Sequence, residues 1–189
     1  MHNSSEKYTF KITVVGDGQV GKTSLIQKFT EGNFQEEYIK TIGAQFSVYE
    51  MEIEGDFVTL FFWDIAGQDE FHFLRPSFYK DSKAAIIVYS LEENEIGKDS
   101  FKHIVNWHDD ILQFCGDVPV VVFANKVDLI DKENLVNTKI LKIVKKRNFL
   151  DYYRTSAKTG EGVSQAFQEI IRELYNKYKA LFLELRGKS

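Results

Sequence analysis

Short runs of nearly continuous apolar residues alternate along this chain with longer stretches of helical periodicity. "FKITVV" (10–15), "AAIIVYS" (84–90), "VPVVVFAN" (118–125) and "LDYYRTS" (150–156) read as strands buried on both faces. Helical patterns over about 98–114 and 132–147 separate the later runs, and a final helix is predicted from about Val163 to Leu185. Two more extended runs, "AQFSVYEMEI" (44–53) and "FVTLFFWDI" (57–65), flank "EGD" (54–56) and predict an antiparallel hairpin. Strands alternating with crossover helices make an α/β fold: a six-stranded, mostly parallel sheet with one antiparallel strand and helices on both faces. Ligands bind such sheets beyond the carboxyl ends of the strands.

Composition and charge narrow the field. A chain of 189 residues fits one domain, and the net charge of −4 argues against a nucleic-acid-binding surface, which needs clustered Lys and Arg. The single cysteine, Cys115, excludes an intramolecular disulfide and reads as a small hydrophobe at a helix end. No apolar run approaches the roughly 20 residues that span a bilayer, so a cytoplasmic protein is expected. No Gly follows Met1 and the end "LELRGKS" has no cysteine, so no lipid anchor is expected in this sequence. The four histidines (His2, His72, His103 and His108) have no metal-ligand spacing.

The first strand runs straight into "GDGQVGKTS" (16–24), and a helix follows from Lys22. Gly16, Gly21, Lys22 and Thr23 fit the G-x-x-x-x-G-K-[ST] phosphate loop in its required strand-to-helix setting. The glycines let successive backbone N–H groups, with the positive end of the helix dipole, face phosphate oxygens. Gly18, Gln19, Val20, Gly21, Lys22, Thr23 and Ser24 are therefore expected to cradle the phosphates. Lys22 reaches the β- and γ-phosphates, and the Thr23 hydroxyl ligates Mg²⁺.

The loop alone does not choose between ATP and GTP, but "NKVD" (125–128) does. A carboxylate at Asp128 accepts from both N1–H and the exocyclic amine of guanine, whereas adenine presents an unprotonated nitrogen there and leaves the carboxylate without a donor. Asn125 is expected to brace the loop and the Lys126 stem to lie over the base. "TSAK" (155–158), with Ser156, Ala157 and Lys158, offers backbone N–H to guanine O6, Ala157 being the expected donor.

Together "GDGQVGKT", "TIG" (41–43), "WDIAGQ" (63–68), "NKVDL" (125–129) and "TSAK" resemble the Ras superfamily of small GTPases, from about Tyr8 to Tyr178. The resemblance implies a P-loop NTPase with a Ras-like G domain over residues 8–178, an N-terminal tail over 1–7 and a C-terminal helix extension over 179–189. "TIGAQF" and "WDIAGQ" look most like Rab proteins, with Phe46, Trp63 and Phe78 at the places of the aromatic triad that Rabs present to effectors; plain sheet packing is the other reading of those residues. The 25 residues between "NKVDL" and "TSAK" leave no room for the extra helix of Rho proteins. Two features depart from the Rab pattern: "GQDEFHF" lacks its usual basic residue, and the cysteine tail is absent.

The resemblance also implies the chemistry, a GTP/GDP switch that hydrolyses GTP slowly. Thr41 would ligate Mg²⁺ and touch the γ-phosphate, Asp64 would hold Mg²⁺ through a water, and Gly67 N–H would contact the γ-phosphate. Phe34 matches the aromatic edge-on to guanine and Tyr38 the one covering the phosphates. Gln68 would orient the attacking water, making Gln68 and Lys22 the catalytic pair, and Gly18 leaves room for Gln68 and an incoming arginine. Gln19 either points to solvent or touches nucleotide or partner. Arg75 reads as structural, so an external activator is expected. Effectors, a GTPase-activating protein and an exchange factor would engage residues 35–43 and 66–80, on a protein expected to be monomeric.

Apolar positions of the last helix continue through Leu181 and Leu185. They fit either a longer packed helix or a peripheral contact of Leu181, Phe182 and Leu185 with a partner or membrane surface. "SLEENEIGKDSF" (90–101) is expected to be a surface insertion without catalytic consequence. The rival functions are a guanine-nucleotide-binding scaffold that does not cycle and a P-loop ATPase or kinase, the latter opposed by Asp128.

Overall fold

The computed structural model describes residues 5–31, 44–65, 75–131 and 138–186, without the side chains of residues 44, 45 and 75. Its strands are β1 (Lys7–Val15), β2 (Ala44–Ile53), β3 (Asp56–Ile65), β4 (Ala84–Ser90), β5 (Val120–Asn125) and β6 (Tyr152–Thr155). The helices are α1 (Lys22–Thr30), α2 (Arg75–Tyr79), α3 (Glu95–Lys102), α4 (Ile104–Cys115), α5 (Thr138–Arg147) and α6 (Val163–Arg186). The strand order is β2-β3-β1-β4-β5-β6, and only the β2–β3 pair is antiparallel.

Both faces of the sheet are covered, which is why the central strands read as unbroken apolar runs. Alternate residues divide between two cores. Ile12, Ile86 and Phe123 join Leu25 of α1 and Phe167 of α6 on one face. Val15, Ile87 and Val122 join Trp107 of α4 and Ile140 of α5 on the other. Phe167 anchors the first core, stacking on Phe29 with ring centroids 4.4 Å apart and meeting Phe62 and Phe123 edge-on.

Two expectations change in detail. The turn is Glu54-Gly55 alone, with φ of 53° and 86°, because Ile53 pairs with Asp56. Two residues at positive φ match the twist of the flanking strands. The single helix predicted over 98–114 is two helices that meet at His103, and the first begins earlier, where the Asn94 side chain accepts from Gly97 N–H at 2.9 Å. Of the helix expected over 132–147, Thr138–Arg147 is helical and residues 132–137 lie outside the described residues.

Cys115 ends α4, donates to the Tyr79 carbonyl at 3.3 Å, and burial pushes its thiol pKa up to about 11. That thiol is unreactive at neutral pH. In α6 the inward stripe packs through Leu174, Tyr175 and Tyr178, after which Leu181, Leu183 and Leu185 are exposed. No described helix is long and apolar enough to cross a membrane.

His108 of α4 is buried against Phe149, ring centroids 4.7 Å apart, beside the Arg147 guanidinium. Burial first, then the charge of Arg147, lowers its pKa, while Asp109 and Asp117 oppose the shift. An unfolded histidine titrates near about 6.5, so the folded chain binds the proton less readily than the unfolded chain. Stability from neutral His108 is complete above that value and is lost as pH falls through the lower folded pKa. Thermal melts between pH 7 and pH 5 should therefore decline more steeply for the natural protein than for His108→Gln; equal slopes would refute this.

Candidate functional site

The carboxyl ends of β1, β4, β5 and β6 lie on one edge of the sheet, with Ser90, Asn125 and Thr155 in mutual register. The chain reverses after β1 through Gly16–Gly21. Gly16 has φ 141° and Gly21 φ 97°; a Cβ on the first would stand 2.1 Å from the Val88 carbonyl oxygen and on the second 2.4 Å from Asn125 Nδ2. Those glycines are required by space as well as by conformation. Gly18 is different: a Cβ there meets nothing within 4 Å, so the loop opens outward at that point. Gln19 takes φ 66° and is exposed.

Lys22 is buried, and its ammonium folds back on the loop to donate to the Gly16 and Asp17 carbonyls, each at 2.9 Å. Thr23 donates through Oγ1 to Asp64 Oδ2 at the end of β3. Burial pushes the Asp64 carboxyl above the usual carboxylate range, against the opposing effects of the Thr23 hydrogen bond and the Lys22 charge. A hydroxyl and a desolvated carboxylate on different elements form a pair of hard oxygen donors.

Asn125 joins three segments. Its Nδ2 donates to the Val20 carbonyl at 2.8 Å, and its Oδ1 accepts from Thr155 Oγ1 at 3.3 Å and from Ala157 N–H at 3.2 Å. Ser156 Oγ donates to Asp128 Oδ1 at 2.6 Å and accepts from Thr159 N–H at 3.0 Å. Around these groups lies a cavity of about 490 Å³, lined by Gly21, Ser24, Glu92, Asn125, Lys126, Asp128, Leu129, Ala157 and Lys158. Residues from four separate stretches of sequence thus converge on one space large enough for a purine nucleoside. Phe34, Tyr38, Thr41, Gly67 and Gln68 lie outside the described residues.

The Ras family model matches residues 11–176. The chain belongs to the Ras family. It is 34% identical over 168 residues to the Ras-related protein Rab-21 of Bos taurus, covering 88% of this chain and 73% of that protein. The Homo sapiens Rab-21 gives the same identity, with 72% of its length covered. The Ras-related protein Rab-9A of Mus musculus is 34% identical over 171 residues, covering 87% of this chain and 82% of that protein. The protein is accordingly a Rab-like small GTPase, an enzyme that binds guanine nucleotide and switches between GTP and GDP forms. Effectors, GTPase-activating proteins and exchange factors are its kinds of partner.

In this small GTPase the three aromatics singled out from the sequence are contiguous. Phe46 stacks on Trp63 at 5.6 Å, and Trp63 meets Phe78 at 5.8 Å. Phe78 is buried while Phe46 and Trp63 are half-buried, and Lys11 Nζ lies 4.2 Å from the Trp63 ring centroid.

Two acidic residues of the GTPase site were missed by sequence reasoning. Asp17 lies inside the phosphate loop, where a free carboxylate would repel an anion. Its side chain is turned away instead: Oδ1 accepts from Trp107 Nε1 at 2.8 Å, and Oδ2 meets His103 Nδ1 at 2.7 Å. The signal was present, an acid in an anion-binding loop, but its partners are 86 and 90 residues away. The other is Glu92, in the segment 90–101 expected to be a surface insertion; its side chain lines the cavity. No local pattern marked it.

Proposed function

We propose that this GTPase holds GTP or GDP, together with Mg²⁺, in the cavity beyond β1, β5 and β6, and that its site residues act as the motifs imply. The observation that carries this reading is Asn125, whose side chain binds the phosphate loop to the "TSAK" loop from the end of β5. Residues 16–24 cradle the phosphates, Asp128 reads the guanine edge, Ala157 N–H meets O6, and Ser156 and Lys158 complete that loop. Thr23 and Thr41 would ligate Mg²⁺ and Asp64 would hold it through a water; the oxygen pair of Thr23 and Asp64 suits a hard divalent cation. Bound there, Mg²⁺ would supply the positive charge that offsets negative charge developing on the phosphates.

Gln68 orients the attacking water and Lys22 steadies the phosphates. Phe34 and Tyr38 flank the nucleotide, and Gly67 and Thr41 sense the γ-phosphate. Residues 35–43 and 66–80 are then the surfaces that effectors, activator and exchange factor read. Residues 8–178 form the working domain of a cytoplasmic monomer, which the α6 turns after Tyr178 extend; the tail expected over 1–7 is shorter, because Lys7 already pairs with Phe57 in β1.

Single-turnover hydrolysis of preloaded GTP with Mg²⁺ tests the proposal. Slow turnover in the natural protein should be lost in Gln68→Leu while GTP stays bound. Bound GTP without turnover in either protein would indicate the non-cycling scaffold instead.

A further inference from the structure

The Lys126 ammonium meets Glu92 Oε2 at 2.5 Å, with the two side chains 24% and 23% exposed. The lysine backbone takes φ 70° and ψ 35°, a left-handed conformation that non-glycine residues seldom adopt. Both residues line the same cavity, Lys126 from the end of β5 and Glu92 from the segment between β4 and α3.

Glu92 is firmly mounted. Ser90 Oγ donates to its Oε2 at 2.9 Å and accepts from its backbone N–H at 3.2 Å. The preceding residue, Leu91, donates its N–H to the Asn125 carbonyl at 2.9 Å, which seats the segment on β5. On the other side Gly97 is packed so closely that a Cβ there would stand 1.9 Å from the Glu92 carbonyl oxygen. The hydrogen bond from Lys126, then that from Ser90, hold the Glu92 carboxyl below its usual range against the opposing effect of burial, so it is ionised at neutral pH. Lysine is a flexible stem ending in a strongly hydrated charge, and without a fixed counter-charge that stem would swing into water.

We propose that Glu92 is a positioning residue for nucleotide retention: by holding the Lys126 ammonium it keeps the lysine stem laid across the purine-binding cavity and slows nucleotide release. This rests on the reading that the Lys126 stem packs on the base. Glu92 touches no reacting atom and acts only through the lysine. The segment 90–94 thereby becomes part of the machinery that decides how long GDP stays bound. Its carboxylate also keeps the lysine charge compensated when nucleotide departs.

Dissociation of fluorescent GDP from Glu92→Gln, Glu92→Asp, Lys126→Ala and the Glu92→Gln/Lys126→Ala double variant tests this. Gln keeps the shape of the side chain and its bond to Ser90 but removes the charge. Release from Glu92→Gln should be about tenfold faster, the effect of losing one charge-assisted hydrogen bond. Glu92→Asp should recover part of the difference, and the double variant should release no faster than Lys126→Ala, because both changes disable one device. Release from Glu92→Gln within about twofold of the natural protein, or effects that multiply in the double variant, would overturn the proposal. Release from Lys126→Ala at the natural rate would instead overturn the reading of the lysine on which it rests. Glu92→Asp keeps the comparison readable if the Gln variant folds poorly.

Discussion

Asp128→Asn is expected to weaken GTP and GDP binding by about 10²- to 10⁴-fold and to strengthen binding of xanthosine nucleotides. In the proposed site the carboxylate accepts from guanine N1–H and from the exocyclic amine. An asparagine keeps one acceptor and turns an N–H₂ toward the amine, so two donors face each other. Charge-assisted hydrogen bonds contribute roughly 1.5–3 kcal/mol each, and losing one, weakening the other to a neutral bond and leaving two donors facing each other spans the stated range. Xanthine carries a carbonyl where guanine carries the amine, and the asparagine N–H₂ pairs with it. Ser156 Oγ, which donates to Asp128 Oδ1, can donate equally to an amide oxygen, so the "TSAK" loop keeps its place. Competition between GDP and XDP for the purified variant reads the effect. A variant that weakens both nucleotides equally would show that Asp128 acts on the loop and not on the base.

Asn125→Ala is expected to weaken every nucleotide alike, by more than about 10²-fold, and to destabilise the fold. Asn125 is 1% exposed, and truncation strands the Val20 carbonyl and the Thr155 hydroxyl in the protein interior. Each buried polar group left unpaired costs about 1–3 kcal/mol. The phosphate loop and the "TSAK" loop would lose their common anchor, so the phosphate and base halves of the site move apart whatever the base. Calorimetric titration with GDP and XDP, together with thermal melts, distinguishes this loss from the selective one at Asp128. Preserved GDP affinity in Asn125→Ala would remove the observation that carries the proposed function.

The phosphate loop was legible because its chemistry is packed into consecutive residues: the strand before, the glycines, Lys22 and the helix after are all local. The two cores were legible from runs such as "AAIIVYS", since strands covered on both faces cannot alternate. His103 was not visible as a helix junction, because periodicity runs smoothly across it and the break shows only in the packing of α3 and α4. The reach of segment 90–101 to the cavity was hidden for a related reason. Its polar letters look solvated, yet Ser90 and Ser100 are buried and Glu92 faces a lysine 34 residues away.

By itself, then, the sequence determined the order of the strands, the class of nucleotide and the family, all of which depend on residue types at short spacing. Only the tertiary structure decided which polar side chains face one another. Asp17 is held by His103 and Trp107, Asn125 reaches back to Val20, and Glu92 meets Lys126. The physical reason is that backbone preference and hydrophobic periodicity act over a few residues. The partner of a charged side chain is set by the closure of long loops across a folded sheet.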